Sequence, residues 1–202
     1  MKRNVVLVLL ALILFSTADS WAQFTVYGEL RTRAESRYGY KKLPTESTID
    51  PAVFVSQRSR IGVKWKQDNL KFNLSVNDAR VWGDEQIYTK TGVFGNSASM
   101  DLFNAWFEWG FSDNMAVRIG RQPWSYDDHH LLSGRNWNDK GLLYDGALLK
   151  YNKGSFDLDL GVSWNSNGAD FFGNNYDLTK IKTLNFLRLH QKFSDNFKGT
   201  FL

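Results

Sequence analysis

Polar and apolar residues alternate along most of the chain after residue 23, beginning with Phe24–Glu35. In that stretch Glu29, Arg31, Arg33 and Glu35 occupy odd positions, whereas the even positions are uncharged and mostly apolar. A period of two places successive side chains on opposite faces of a β-strand. A helix would scatter the same charges around its circumference, so the pattern predicts a strand with one apolar and one charged face.

The same alternation recurs down the chain and predicts nine strands in total. The ninth begins at Phe197 and reaches the last residues of the sequence. The eight others are predicted at Phe24–Glu35, Phe54–Lys66, Leu70–Asn77, Met100–Phe111, Met115–Gln122, Tyr144–Tyr151, Phe156–Asn165 and Leu184–Phe193.

The connections between these strands alternate strictly between long and short. The short ones, such as Ser112–Asn114 and Ser194–Asn196, contain the Asp, Asn and Ser residues of tight turns. Alternation gathers every long loop at one end of the sheet, as in outer-membrane barrels, whose strands of about ten residues have alternating faces. The long connections are Tyr38–Val53, Gly83–Ser99, Pro123–Leu142 and Ser166–Lys182.

We therefore predict an all-β fold, an antiparallel transmembrane β-barrel of the outer-membrane type. Its apolar side chains would face lipid and its polar side chains would face an aqueous lumen. Aromatic residues at the short-turn ends of the strands match the aromatic girdle of such barrels. A soluble β-sandwich is the alternative, since its strands also alternate, but it does not explain the loop pattern. The aromatic residues are Trp65, Trp109, Phe111, Tyr151 and Phe193.

Nine is an odd number of strands, whereas single-chain bacterial barrels of this kind have an even number. An open sheet edge in lipid would leave backbone groups unpaired at a cost of several kcal/mol each. We therefore expect residues 23–202 to be the N-terminal part of a larger transmembrane β-barrel, truncated in this chain, or else to need a partner that closes the sheet.

The first 22 residues follow a different pattern, that of a secretory signal peptide. The basic start Met1–Arg3 precedes an apolar run, Val5–Phe15, and small residues at Ser20 and Ala22 predict cleavage after Ala22. The apolar run is shorter than the roughly 20 residues that span a bilayer, although an uncleaved anchor is the alternative. The chain has no cysteine, so disulfides do not stabilise the exported protein.

Charge is balanced over the whole chain but biased on the predicted inner face. The formal net charge is only +4 and is spread out, which argues against a nucleic-acid-binding protein. The inner face instead holds many more cations than its five anions, Glu29, Glu35, Glu108, Asp157 and Asp159. The cations are Arg31, Arg33, Arg37, Arg58, Arg60, Lys64, Lys66, Lys71, Arg118, Lys150, Arg188 and Lys192.

Two interpretations of these inner charges are open. Arginine matches carboxylate geometry, and a narrow channel focuses the field of its lining charges, so selective passage of anions is the first. The second is structural, because ladders of arginine and glutamate also hold barrels in shape. In either case the predicted protein is a passive channel or scaffold without a catalytic step or cofactor.

Several segments resemble the alginate-export outer-membrane porin family. They are Gly120–Gln122, Tyr126–Leu132, Arg135–Trp137 and the pair Tyr144-Asp145, and the resemblance is strongest over Leu102–Tyr151. The stretches SQRSRIGVKW and DARVWGD, which begin at residues 56 and 78, also look like early strands of that family.

This resemblance implies a monomeric barrel in the bacterial outer membrane, longer than this chain. It implies transport of an anionic solute or acidic polysaccharide through a pore lined by arginine and lysine. Two departures weaken any assignment of alginate itself. His130 stands where the family pattern favours arginine, and Leu142-Leu143 stand where basic residues are common.

From these arguments we predict the pore-lining residues and the cargo contacts of the loop after Gln122. The loop is expected to fold inward as a constriction, where Trp124 and Trp137 stack on sugar rings or pack within the protein. The loop contacts are Trp124, Tyr126, Asp128, His130 and Trp137. The pore-lining residues are Arg31, Arg33, Arg58, Arg60, Lys64, Arg118, Arg121, Arg135 and Arg188.

Two catalytic or metal-binding alternatives for these segments are weaker. Asp127–His130 contains metal-ligand residue types, but neighbouring residues of an extended chain point in opposite directions, so we predict no metal site. A barrel hydrolase would require His190 to act with Ser163 or Ser194, which the sequence supports only by proximity. A non-selective or structural outer-membrane barrel, acting in adhesion or as a scaffold, is the main alternative function.

Overall fold

The computed structural model describes residues 23–39, 50–83, 99–166, 168–169, 171–174 and 181–202. The predicted signal peptide, residues 1–22, lies outside them. Within them, no helix is long and apolar enough to cross a membrane.

The described chain forms one antiparallel sheet, which confirms the predicted all-β fold. Its nine strands lie side by side in sequence order, so each pairs with the strand before and after it, and β1 and β9 form the edges. The strands are β1 Gln23–Arg37, β2 Ala52–Gln67, β3 Leu70–Val81, β4 Ser99–Gly110, β5 Met115–Gln122, β6 Tyr144–Lys153, β7 Phe156–Trp164, β8 Thr183–Lys192 and β9 Lys198–Phe201.

The apolar face of the sheet is exposed and the charged face is buried, which is the reverse of the arrangement in a soluble protein. On β1 the apolar side chains of Phe24, Val26 and Leu30 are largely exposed. On the opposite face, Arg58 of β2 is 1% exposed and Glu108 of β4 is 2% exposed. A soluble sandwich buries its apolar face instead. A continuous apolar surface of this kind is compatible with lipid rather than with water, which favours the barrel over the sandwich.

Aromatic pairs lie on the apolar face next to the short turns, as the girdle predicts. Phe24 and Trp65 pair across β1 and β2 with ring centroids 6.3 Å apart. Trp109 and Phe111 are 5.7 Å apart at the next short turn. Aromatic side chains in this position suit a membrane–water interface, because they combine apolar area with polar edges.

One strand departs from the predicted alternation. The register between β3 and β4 shifts, so that Ser75 pairs with Asn104 whereas Val76 pairs with Leu102. This β-bulge leaves Phe103 as the extra residue and turns its ring inward. The ring lies under the guanidinium of Arg60, 3.3 Å from the ring centroid. Uninterrupted alternation along β4 predicts Phe103 on the lipid face with Phe107 and Trp109, and the bulge shows that this prediction is wrong.

Glycines on the inner face provide space for aromatic rings. Gly161 of β7 pairs with Phe186 of β8, and a Cβ atom at Gly161 would lie 2.0 Å from the Phe186 ring. Because the Phe186 ring also contacts the rings of Trp124 and Tyr126, it cannot move away without disturbing the loop after β5.

We expect Gly161→Ala to destabilise the protein by about 1–3 kcal/mol, the usual cost of overpacking. Gly28→Ala is the control, because a Cβ there would meet only the Arg60 carbonyl at 3.7 Å, an ordinary contact. Urea unfolding of both variants in lipid vesicles measures the difference. Equal stability of the two variants would contradict the close approach of Phe186.

Candidate functional site: the charged face and its inner loop

The candidate site is the charged face of the sheet together with residues 123–143, which connect β5 to β6 and are called the inner loop below. The inner loop contacts β1 and β2 through Asp139 and nearby carbonyls. It contacts β8 and β9 through Asp127. Since β1 and β9 are opposite edges of the sheet, the inner loop reaches the strands at both edges only if the sheet curls with its charged face inward.

An aromatic cluster anchors the first half of the inner loop. Trp124 is 1% exposed and stacks on Tyr144, with ring centroids 4.7 Å apart. Its edge meets Phe186 at 5.0 Å, and Leu132 belongs to the same buried cluster. Gly146 provides the space, because a Cβ there would lie 3.1 Å from the Trp124 ring. Of the two roles considered for Trp124, the structure therefore shows packing within the protein.

Arginines of β1 and β2 bind the second half of the inner loop mainly through its backbone. The carbonyl of Asn136 accepts hydrogen bonds from Arg31 Nη1 at 2.9 Å and from Arg58 Nη1 at 2.8 Å. The Trp137 carbonyl accepts one from Arg31 at 3.1 Å, and the Asn138 carbonyl accepts one from Arg58 at 3.1 Å. Arg58 also forms an ion pair with Glu29.

Asp139 supplies the carboxylate at this contact. Its Oδ1 lies 2.9 Å from Arg31 Nη2, and its Oδ2 lies 3.6 Å from Arg33 Nη2. Burial disfavours ionisation of Asp139, but the hydrogen bond from Arg31 and the charges of Arg33 and Arg31 outweigh that effect, and its pKa falls below the ordinary value. Asp139 is therefore ionised at neutral pH, when it balances the arginines.

Arg188 of β8 binds the inner loop on the other side. Its Nη2 lies 3.1 Å from Asp127 Oδ1, and Thr200 of β9 donates to the same carboxylate at 3.2 Å. The hydrogen bond from Arg188 is the main reason that the pKa of Asp127 is lowered. The guanidinium of Arg188 also lies over the ring of Tyr126, 4.9 Å from its centroid.

Nearer the short turns, three cations surround one buried carboxylate. Glu108 accepts from Lys71 at 2.7 Å, from Arg118 Nη2 at 2.6 Å and from Lys150 at 3.2 Å. Arg118 lies over the Trp106 ring, 4.0 Å from its centroid. Lys71 is about half exposed. A cavity of about 590 Å³ lies here, which we call the vestibule. Its charged lining residues are Lys66, Lys71, Lys150, Glu108, Asp68 and Asp113.

The predicted pore-lining residues do not all lie on the charged face. Six of them lie on the charged face, where each contacts Glu29, Glu108, Asp127 or Asp139. These six are Arg31, Arg33, Arg58, Arg60, Arg118 and Arg188. Lys64 is exposed and has its ammonium 5.0 Å from the centroid of the Tyr27 ring.

Arg121 lies on the apolar face and requires a correction. It is paired with Asp145, and both Nε and Nη2 bind that carboxylate, at 2.8 and 2.6 Å. It shares its face with Val117 and Ile119, because side chains two residues apart point the same way along a strand. Arg121 is predicted to line the pore because it lies next to the loop motif. The alternation of side chains along β5 instead places it on the face opposite Arg118.

The exposed part of the inner loop holds four other predicted residues. Arg135 has a positive φ of 44° and is exposed. Asp128 and His130 are largely exposed and pair with each other at 3.6 Å, and Trp137 is 64% exposed. Tyr126, in contrast, is half-buried against Phe186, so within this loop the structure separates packed from exposed candidates.

The structure does not assemble the hydrolase or metal alternatives among the described residues. Ser163 donates to the Leu184 carbonyl at 3.2 Å and accepts from its amide at 3.0 Å. The ring of His190 pairs with Thr200 at 2.8 Å. Within the described ranges, no group of three or more potential metal-ligating residues comes together.

Sequence reasoning missed two features of this site. Asp139 was not singled out, and neither were the carbonyls of Asn136, Trp137 and Asn138. Backbone carbonyls carry no residue-specific signal, so the sequence could not reveal them. Asp139 did offer one signal, since it is an acid in a loop predicted to fold against an arginine-rich face.

The profile of the alginate export family matches residues 22–164. This range begins just before β1, includes the inner loop and ends at the last residue of β7. A comparison with curated proteins gave no match.

We expect Trp124→Ala to destabilise the protein by about 3–5 kcal/mol, because it removes a buried aromatic side chain and leaves a cavity. Trp137→Ala is the matched control, since that ring is mostly exposed. Urea unfolding in lipid vesicles measures both. A similar loss for the two variants would contradict the assignment of Trp124 as the anchor of the loop.

The lowered pKa of Asp127 predicts a pH dependence. Its contribution to stability is fully present above its unfolded pKa of about 3.9 and is lost as pH falls through the lower folded pKa. The difference in unfolding free energy between the natural protein and Asp127→Asn should be constant from pH 7 to about 4, then shrink. A difference that persists unchanged at about pH 2 would contradict the ion pair with Arg188.

Proposed function

Because the chain belongs to the alginate export family, we propose that it forms the wall of a passive outer-membrane channel for anionic solutes or acidic polysaccharide. Its location in the bacterial outer membrane is part of this proposal, as is lipid as the partner of the apolar face. No catalytic step or cofactor is required, and a monomeric barrel suffices.

The observation that carries the proposal is the inverted burial of the sheet. Side chains such as Arg58 and Glu108 are buried on the inner face, whereas Val26 and Leu30 are exposed on the outer face. Only a surrounding of lipid and an interior that accepts charge make this distribution stable. An inner face of this kind provides a polar path across an apolar layer.

Cations exceed anions at the vestibule, which supports anion preference. Lys71, Arg118 and Lys150 share the single carboxylate of Glu108, and Lys66 also lines the cavity. Asp68 and Asp113 also line the cavity, so with Glu108 three acids stand against the four cations and a small excess of positive charge remains at the mouth near the short turns. A confined low-dielectric wall strengthens the field of that charge and enriches anions locally.

The inner loop restricts the other half of the face and favours a second candidate function. Arg31, Arg58 and Arg188 are engaged by the loop, as expected if the charges mainly hold the barrel in shape. A structural barrel of this kind, acting as a scaffold or in adhesion, would conduct no ions. Conductance therefore separates the two candidates.

We expect the full-length protein in planar bilayers to pass chloride in preference to potassium. Lys71→Gln should lower the chloride-to-potassium permeability ratio by roughly two- to fivefold, since one charge contributes on the order of 1 kcal/mol at about 4 Å in water. Lys153→Gln is the control, because Lys153 is exposed at the end of β6. Reversal potentials across a salt gradient measure the ratio.

Two outcomes would count against the proposal. Absence of conductance would favour the structural barrel. An equal ratio for Lys71→Gln and the natural protein would contradict a role for the vestibule in selectivity.

A further inference from the structure

We propose that Asp139 is an internal competitor of the transported anion and thereby sets which anions open the path past the inner loop. Its carboxylate occupies the binding position that a solute carboxylate would take on the arginines of β1 and β2. A polyanion replaces it and releases residues 136–139. This inference rests on the proposed channel function and concerns the regulation of the same site.

The first step of the argument is the geometry at Asp139. Its two oxygens face different arginines, Arg31 at 2.9 Å and Arg33 at 3.6 Å. Guanidinium groups bind carboxylates in this way whether the carboxylate belongs to the protein or to a solute. An arriving carboxylate therefore finds its partners already oriented, but occupied.

The arginine cluster also has donor groups beyond those that the loop uses. Nε of Arg58 and Nη2 of Arg60 are buried and have no hydrogen-bond partner among the described residues. The same holds for Nε of Arg31. A guanidinium offers five N–H donors, and leaving such buried donors unpaired is costly. A second acceptor group in this cluster would satisfy them, which favours a site that also receives a ligand.

Among the described residues, hydrogen bonds and ion pairs hold residues 136–139 to the wall. Besides the hydrogen bonds from the arginines, Asn77 Nδ2 donates a hydrogen bond to the Asp139 carbonyl at 3.3 Å. Trp137 contributes no buried ring, because it is mostly exposed. The segment lies between two residues of positive φ, Arg135 and Gly141, where the chain changes direction.

The first half of the inner loop is held differently, by the buried ring of Trp124. Release of residues 136–139 would therefore leave that anchor in place, so the loop can open at one end without detaching from the barrel.

Tethering determines which anions can compete. Asp139 is attached to the wall through residues 140–143, which lead directly into β6, so its carboxylate acts at an effective concentration on the order of millimolar. A monovalent anion must exceed that concentration to replace Asp139. A polyanion binds Arg31, Arg33 and Arg58 together and gains avidity from each further carboxylate. We therefore expect oligogalacturonate to release the segment at far lower carboxylate concentration than monomeric galacturonate.

The test uses a nitroxide label at Lys140→Cys in the full-length protein in lipid vesicles. This chain has no cysteine, and any cysteine elsewhere in the full-length protein is replaced by serine so that the label is unique. Lys140 is exposed beside Asp139. The label is placed in the natural background, in Asp139→Asn and in Asp128→Asn. Asp128→Asn is the matched control, because it removes one negative charge from the same loop at an exposed carboxylate. Among the described residues, the ion-pair partner of Asp128 is His130.

Electron paramagnetic resonance then reports the mobility of the segment. Without anion, Asp139→Asn should be more mobile than the natural background and Asp128→Asn should match it. Oligogalacturonate should mobilise the natural segment, and Asp139→Asn should lower the required concentration by about fivefold, as expected for the loss of one partly exposed ionic hydrogen bond. Equal mobility of all three, or no effect of oligogalacturonate, would overturn the proposal.

Conductance of the same variants separates this proposal from the function on which it rests. If the natural protein conducts anions and Asp139→Asn behaves like Asp128→Asn in both measurements, only the role of Asp139 fails. If the label responds as expected but no variant conducts, the competition stands and the channel function fails.

Discussion

The structure depends on a single constraint, the partition of apolar side chains to one face of a β-sheet whose other face is charged. In water this arrangement would be unstable, because exposed Val26 and Leu30 would gain nothing while buried Arg58 and Glu108 would lose hydration. In lipid the same arrangement is required, since the bilayer core offers no hydrogen bonds. The continuous antiparallel ladder then satisfies the backbone between neighbouring strands.

Charge on the inner side of the sheet is arranged so that two acids, Glu108 and Asp139, each serve several cations. Glu108 balances Lys71, Arg118 and Lys150, and Asp139 balances Arg31 and Arg33. An unpaired buried ion is strongly unfavourable, so these acids allow a cation-rich wall to fold. In the function that we propose, the excess of positive charge that remains attracts anions, so that one arrangement would serve both stability and transport.

The inner loop links these two roles because its halves are bound by different forces. Trp124 binds through apolar packing against Tyr144 and Phe186, which anions and salt do not weaken. Asp139 binds through ionic contacts, which anions compete for and salt screens. Under our proposal, a loop built in this way remains attached while residues 136–139 respond to the solute.

The sequence by itself determined the number and order of the strands, their two faces and the alternation of short turns with long loops, because a period of two is a local property of the chain. It also placed Arg31, Arg58 and Arg188 on the charged face. It did not determine the position of Phe103, because a β-bulge depends on the register with the neighbouring strand. Nor could it show that residues 136–139 cover the arginines, since that contact uses backbone carbonyls more than 70 residues away from Arg58. Only the curled sheet brings those groups together.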